Sequence, residues 1–85
     1  MSDVLTRIAA IIDANPGMSR LPATLLMVLT DAKGRIVTRS QIIEAVEEVY
    51  GRDCTGVDVT AAVKRLRACG VAVQPVYGVG YRLQP

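Results

Sequence analysis

The stretch from Val57 to Gly70 constrains this chain most. Val59, Val63 and Leu66 recur at i, i+4 and i+7, the spacing of a buried helical stripe. Cys69 is expected to extend that side by another turn. Lys64, Arg65 and Arg67 cluster on the remaining surface, in the C-terminal half of the stretch. The predicted helix, 57–69, is thus pinned by a core on one side and shows cations and small residues on the other. Taken alone, a solvated basic face accounts for this pattern. Its neighbours in sequence decide whether it does more.

Before it, residues 3–14 read as a helix with Val4, Leu5, Ile8, Ile11 and Ile12 on one face and Ser2 as its N-cap. Asn15-Pro16-Gly17 stops that helix. A second helix starts between Ser19 and Pro22, since proline fits a first turn, and runs through Leu25, Leu26, Val28 and Leu29. It ends near Lys33-Gly34, with Gly34 as the expected C′ residue. Arg35-Ile36-Val37 is then an extended piece that needs a sheet partner. Thr38 to Gln41 matches a capping box, with a hydroxyl at the cap and a Gln three residues on. The helix it opens would bury Ile42, Ile43, Val46, Val49 and Tyr50, expose Glu44, Glu47 and Glu48, and stop at Gly51. Thr55 or Asp58 caps the next helix.

Beyond Gly70, Val71 to Val76 reads as a strand. Pro75 lacks a donor, so the strand belongs at an edge or a ladder end. Tyr77-Gly78-Val79-Gly80 offers two glycines that tolerate positive φ, as a tight hairpin requires. Tyr81-Arg82-Leu83 returns, with Tyr81 in the core. Two consecutive helices followed by a hairpin, with Ile36-Val37 as a third strand, form a winged helix-turn-helix. The expected class is α+β, mainly α, with an extra N-terminal helix, three core helices and a small C-terminal hairpin. One domain spans 1–85: a helix and turn over 1–17 and a core over 18–83.

A chain of 85 residues supports one small domain. Without Phe or Trp, its core must come from aliphatic residues, Met and three tyrosines. Charge is uneven along the chain. Residues 1–50 carry five cations and six anions (net −1), and residues 51–85 carry five cations and two anions (net +3), which sums to the overall +2. A basic C-terminal part is the electrostatic footprint of a phosphate-facing surface. Two cysteines and no histidine exclude a conventional four-ligand zinc site in one chain. Cys54 falls in a loop without a histidine to activate it, and no carboxylate pair or glycine-rich phosphate loop is apparent, so no enzyme is expected. No cofactor is called for. The absence of an apolar leader or a span of roughly 20 apolar residues points to a cytoplasmic protein with reduced thiols and no membrane contact.

Three stretches in order carry a resemblance: Gly34 to Val46, Val63 to Arg67, and Gly78-Val79-Gly80-Tyr81-Arg82-Leu83. Together they resemble the winged-helix DNA-binding domain of OmpR/PhoB-type transcription regulators, over about three-quarters of the chain. The resemblance implies a transcription regulator that binds double-stranded DNA. Its recognition helix would be 57–69 in the major groove, with the wing 71–83 near the adjacent minor groove. Arg65 and Arg67 match the family's DNA-contacting arginines. Thr60, Ala61 and Lys64 take neighbouring groove-facing positions, and Arg39 opens the preceding helix where a phosphate would lie.

In the hairpin, Arg82 either contacts DNA or pairs with an acid across the sheet. Tyr77 stands where the family often has arginine and could pack on a sugar or phosphate. Ala61, Ala62 and Ala68 leave few side chains for base readout, although an alanine can touch a thymine methyl. The family's four-stranded N-terminal sheet is replaced by helix 3–14, and its receiver domain has no counterpart in this sequence. Helix 3–14 packs on the domain or forms a homodimer. The loop Tyr50 to Gly56 is a candidate contact for RNA polymerase. An alternative reading, favoured by the low net charge and the alanine-rich helix, is a winged-helix protein-interaction module that binds RNA polymerase or another regulator.

Overall fold

The computed structural model describes residues 2–50 and 55–84, the side chains of Ser2, Asp3 and Tyr50 excepted. The Ser2 cap, the Tyr50 side chain, the Gly51 stop and loop residues 51–54, Cys54 among them, lie outside the described residues. The described residues form four helices: α1 (Ser2–Ala14), α2 (Arg20–Asp31), α3 (Arg39–Tyr50) and α4 (Gly56–Ala68). Three short strands, β1 (Val37–Thr38), β2 (Val73–Val76) and β3 (Gly80–Leu83), form an antiparallel sheet in the order β1-β3-β2. The α+β, mainly helical class expected from the sequence is the one observed.

Local chemistry sets the boundaries. Thr38 Oγ1 accepts from the Gln41 N–H at 3.1 Å, and Gln41 Oε1 accepts from the Thr38 N–H at 2.9 Å, so the expected capping box opens α3. A second box opens α4. Thr55 Oγ1 accepts from the Asp58 N–H, and the Asp58 carboxylate accepts from the Thr55 N–H at 3.0 Å. Thr55 and Asp58 therefore cap together. Asp58 also places an anion in the first turn, where the helix dipole favours it.

Helix ends follow the glycines with one shift. After α2, Lys33 occupies C′ with φ +53°, and Gly34, expected there, follows with φ +86°. After α4, Gly70 takes φ +88°, its N–H donates to Arg67 O, and the Val71 N–H donates to Leu66 O, the paired bonds of a Schellman motif. Because the chain turns there, Cys69 is the exposed C-cap of α4 and not an extension of its buried stripe.

The core lies where α2, α3, α4 and the sheet meet. Leu25, Leu29, Ile42, Val46, Val59 and Leu66 are almost wholly buried. Ala62, expected on the outer face of α4, is buried too. The inward stripe is Val59, Ala62, Val63 and Leu66, the fuller i, i+3, i+4, i+7 pattern. On α1, Ile8 is buried, Val4, Ile11 and Ile12 are partly covered, and Leu5 is 54% exposed.

The hairpin is present with shifted ends: β2 starts at Val73, not at Val71, and Gly80, expected in the turn, opens β3. β2 is an edge strand, so the N–H that Pro75 lacks breaks no inner ladder. Gly78 takes φ +73°, whereas Gly80 does not enter the left-handed region. Gly80 is needed for a different reason. It faces Thr38 in the β1–β3 register, and a Cβ there would collide with the Val37 and Thr38 backbone. Tyr81 is buried, as expected.

Candidate nucleic-acid interface

The outer face of α4 carries Val57, Thr60, Ala61, Lys64 and Ala68, all exposed. Residues three and four apart on a helix stack over one another, so Val57, Thr60, Ala61 and Lys64 form one continuous surface. The two arginines flank it. Arg65 reaches one side, where its Nη2 donates to Gly17 O in the α1–α2 turn at 2.7 Å. Arg67 reaches the other, where Nε and Nη2 each donate to Val73 O at the start of β2 at 3.2 Å. Both expected groove residues thus brace α4 against its neighbours. A guanidinium has five N–H donors, so neither arginine is exhausted by its carbonyl. Lys64 is the one cation within the central surface, and the Thr60 hydroxyl donates back to Gly56 O at 3.1 Å.

The other predicted residues gather around the hairpin. Arg39, in the first turn of α3, sets its guanidinium carbon 6.0 Å from the centroid of the Tyr81 ring, within cation–π range. Between that turn and the hairpin lies an open cleft lined by Arg39, Val76, Tyr77, Val79 and Tyr81. Tyr77 is fully exposed at the hairpin tip and Val79 is half exposed. Arg82 is half-buried, and its Nε donates at 2.9 Å to Gln74 Oε1, its cross-strand partner. The partner is an amide, not the acid considered from the sequence. A carbonyl-type partner leaves the charge of Arg82 in place.

Pattern reading missed Val57. It is 78% exposed, an apolar side chain in the first turn of α4. Its offset from the Val59–Leu66 stripe is the signal that could have found it. It also missed the arginine braces, which join residues far apart in sequence or across a chain reversal. Among the described residues, no group of three or more His, Cys, Asp or Glu converges as metal ligands do. No helix among them is long and apolar enough to cross a membrane. Comparison with known families, curated proteins and solved structures finds no match to this chain.

Proposed function

We propose that this protein is a DNA-binding transcription regulator with an OmpR/PhoB-like winged helix-turn-helix. In this reading α3 and α4 are the helix-turn-helix, α4 enters the major groove, and the β2–β3 hairpin lies near the adjacent minor groove. One observation carries the reading. The rigidly held helix α4 turns outward a face with Lys64 at its centre and Arg65 and Arg67 at its edges, next to a hairpin whose cleft holds Arg39. Cations along one face, backed by a core, suit a phosphate-lined groove. A cytoplasmic location accords with this role. Further partners in this reading are RNA polymerase, through the loop before α4, and a second copy of the chain, through α1, where Leu5 is exposed.

Fluorescence anisotropy with labelled duplexes at several salt concentrations tests the proposal. Binding is expected at low salt, with log affinity falling linearly against log salt, about 0.9 per neutralised phosphate. Removing Lys64 or Arg39 should lower that slope by about 1 each. A chain that binds no duplex at low salt is not a DNA-binding protein.

A second reading is a winged-helix protein-interaction module. It is favoured by the exposed Tyr77 and Val79, which line one cleft at the hairpin, and by the exposed Val57 on α4. Its mark would be a protein partner retained by the Arg65→Glu/Arg67→Glu variant, with no duplex binding before or after the change.

A further inference from the structure

The arrangement on α4 says what kind of base pair its central face can read. We infer that base discrimination comes from methyl contact, with thymines opposite Val57 and Ala61, and not from an arginine fork. This rests on the reading of α4 as the groove helix.

Residues near the N-terminus of a groove helix meet the base edges, and Val57, Thr60 and Ala61 hold those positions here. Val57 leaves most of its surface to solvent, and no described contact calls for a β-branched apolar residue there. The Thr60 hydroxyl spends its proton on Gly56 O, so that position presents no donor. Arg65 and Arg67, the side chains able to grip guanine with two parallel donors, are drawn to the flanks by Gly17 O and Val73 O. Lys64 remains in the middle as a single point charge.

In the major groove A·T and G·C pairs each offer two acceptors and a donor, and only thymine adds a methyl group. Val57 and Ala61 against thymine bury methyl on methyl. Against G·C they would cover as many polar groups and find no methyl to bury in return. The same face therefore favours A·T pairs and disfavours G·C pairs at those positions.

Thymine-to-uracil replacement isolates this chemistry, because deoxyuridine pairs identically and lacks only the 5-methyl group. The full chain is first used to select duplexes from a random pool at low salt. Each thymine of the selected site is then replaced singly by deoxyuridine, and affinity is read by anisotropy. One or two positions should lose about fourfold, the worth of one buried methyl-sized group. Val57→Ala should weaken binding to the thymine duplex and reduce the uracil effect at one of them, with the melting temperature unchanged.

The inference is overturned if salt-sensitive binding persists with no uracil effect at any position. It is equally overturned if neither Val57→Ala nor Ala61→Gly alters the effect that is seen. If no duplex binds even at low salt, the groove-helix reading itself has failed, and this inference falls with it.

Discussion

Helices α1 and α4 have the same length, 13 residues each, and are held in opposite ways. α4 is secured at every point that its outer face does not use. Four buried residues line its inner side, a capping box closes its start, a Schellman motif closes its end, and two arginines tie it to the α1–α2 turn and to β2. α1 rests on α2 through Ile8 and its half-covered neighbours. A surface ion pair, Arg7 to Asp31 at 2.6 Å, adds to that contact. The difference separates duties. Among the described residues nothing packs over the central surface of α4, so its residues are at liberty to serve a partner. α1 is a peripheral helix whose attachment is the weaker of the two.

Removing one side chain from each attachment should affect the two helices unequally. Leu66→Ala empties a wholly buried site on α4 and should cost about 3–5 kcal/mol, a large share of the stability of a domain this size. Ile8→Ala should cost about 2 kcal/mol, because a peripheral helix can settle into the space. Urea denaturation gives both values. Hydrogen exchange should show α1 amides opening well before those of α4. Equal costs and equal protection would make α1 part of the same unit as α4, and the distinction would collapse.

The hairpin glycines offer the next test, since they are alike in sequence and unlike in duty. Gly80→Ala forces a methyl into the β1 backbone and should cost about 3 kcal/mol, because strand pairing must open to admit it. Gly78→Ala meets no atom and suffers only its positive φ, about 1 kcal/mol. Thermal unfolding ranks them. A reversed order would mean that β1 yields easily and that the sheet does not hold α3 in place beside the hairpin.

That pair also shows what was legible in the sequence. The Gly-Val-Gly spacing marks a hairpin, and the hairpin is there. Which glycine serves the turn and which serves the neighbouring strand depends on β1, some 40 residues upstream by the Thr38–Gly80 register. The α3 capping box was readable, because it involves residues three apart whose side chains bond only to nearby backbone; for α4 the sequence offered Thr55 or Asp58, and the structure joins them in one box. The stripe on α4 was readable in part. Ala62 belongs to it, but a small residue beside two outward ones reads as surface. Cys69 follows the helical spacing and still falls outside, because Gly70 ends the periodicity. Arg65 and Arg67 were legible as surface cations. Their carbonyl partners, Gly17 and Val73, were not, since a guanidinium on a flexible stem leaves no pattern that marks its acceptor.

A cap should be worth less than a core side chain or a strand contact. Thr55→Ala removes one half of the α4 box and should cost about 1 kcal/mol. Thr55→Ser, which keeps the hydroxyl, should recover most of that loss. If both variants fall equally, the methyl group of Thr55 and not its hydroxyl matters, and the start of α4 is held by packing.

The smallest effect belongs to the ion pair under α1. Both side chains are about half exposed, at 42% and 52%, so water and salt screen the pair and its worth is about 0.2–1 kcal/mol. Hydrogen bonds from Arg7 hold the Asp31 carboxyl below its ordinary range, with the charges of Arg7 and Lys33 adding to the effect. A carboxyl depressed in the folded state stabilises the fold above its unfolded pKa. That contribution is lost as pH falls through the folded value.

The two single variants should differ. Arg7→Gln leaves Asp31 charged in the last turn of α2, where the helix dipole disfavours an anion, so it should cost nearly the full 1 kcal/mol or so. Asp31→Asn removes the pair and the unfavourable anion together, and should be close to neutral. Urea denaturation at neutral pH should show this gap. It should close in about 1 M salt, where the Debye length is about 3 Å, and again in acid, as the carboxyl protonates. A gap that persisted under both conditions would have to come from the packing of the Arg7 stem on α2. α1 would then be held by apolar contact alone, and its attachment would tighten, not loosen, as salt was raised.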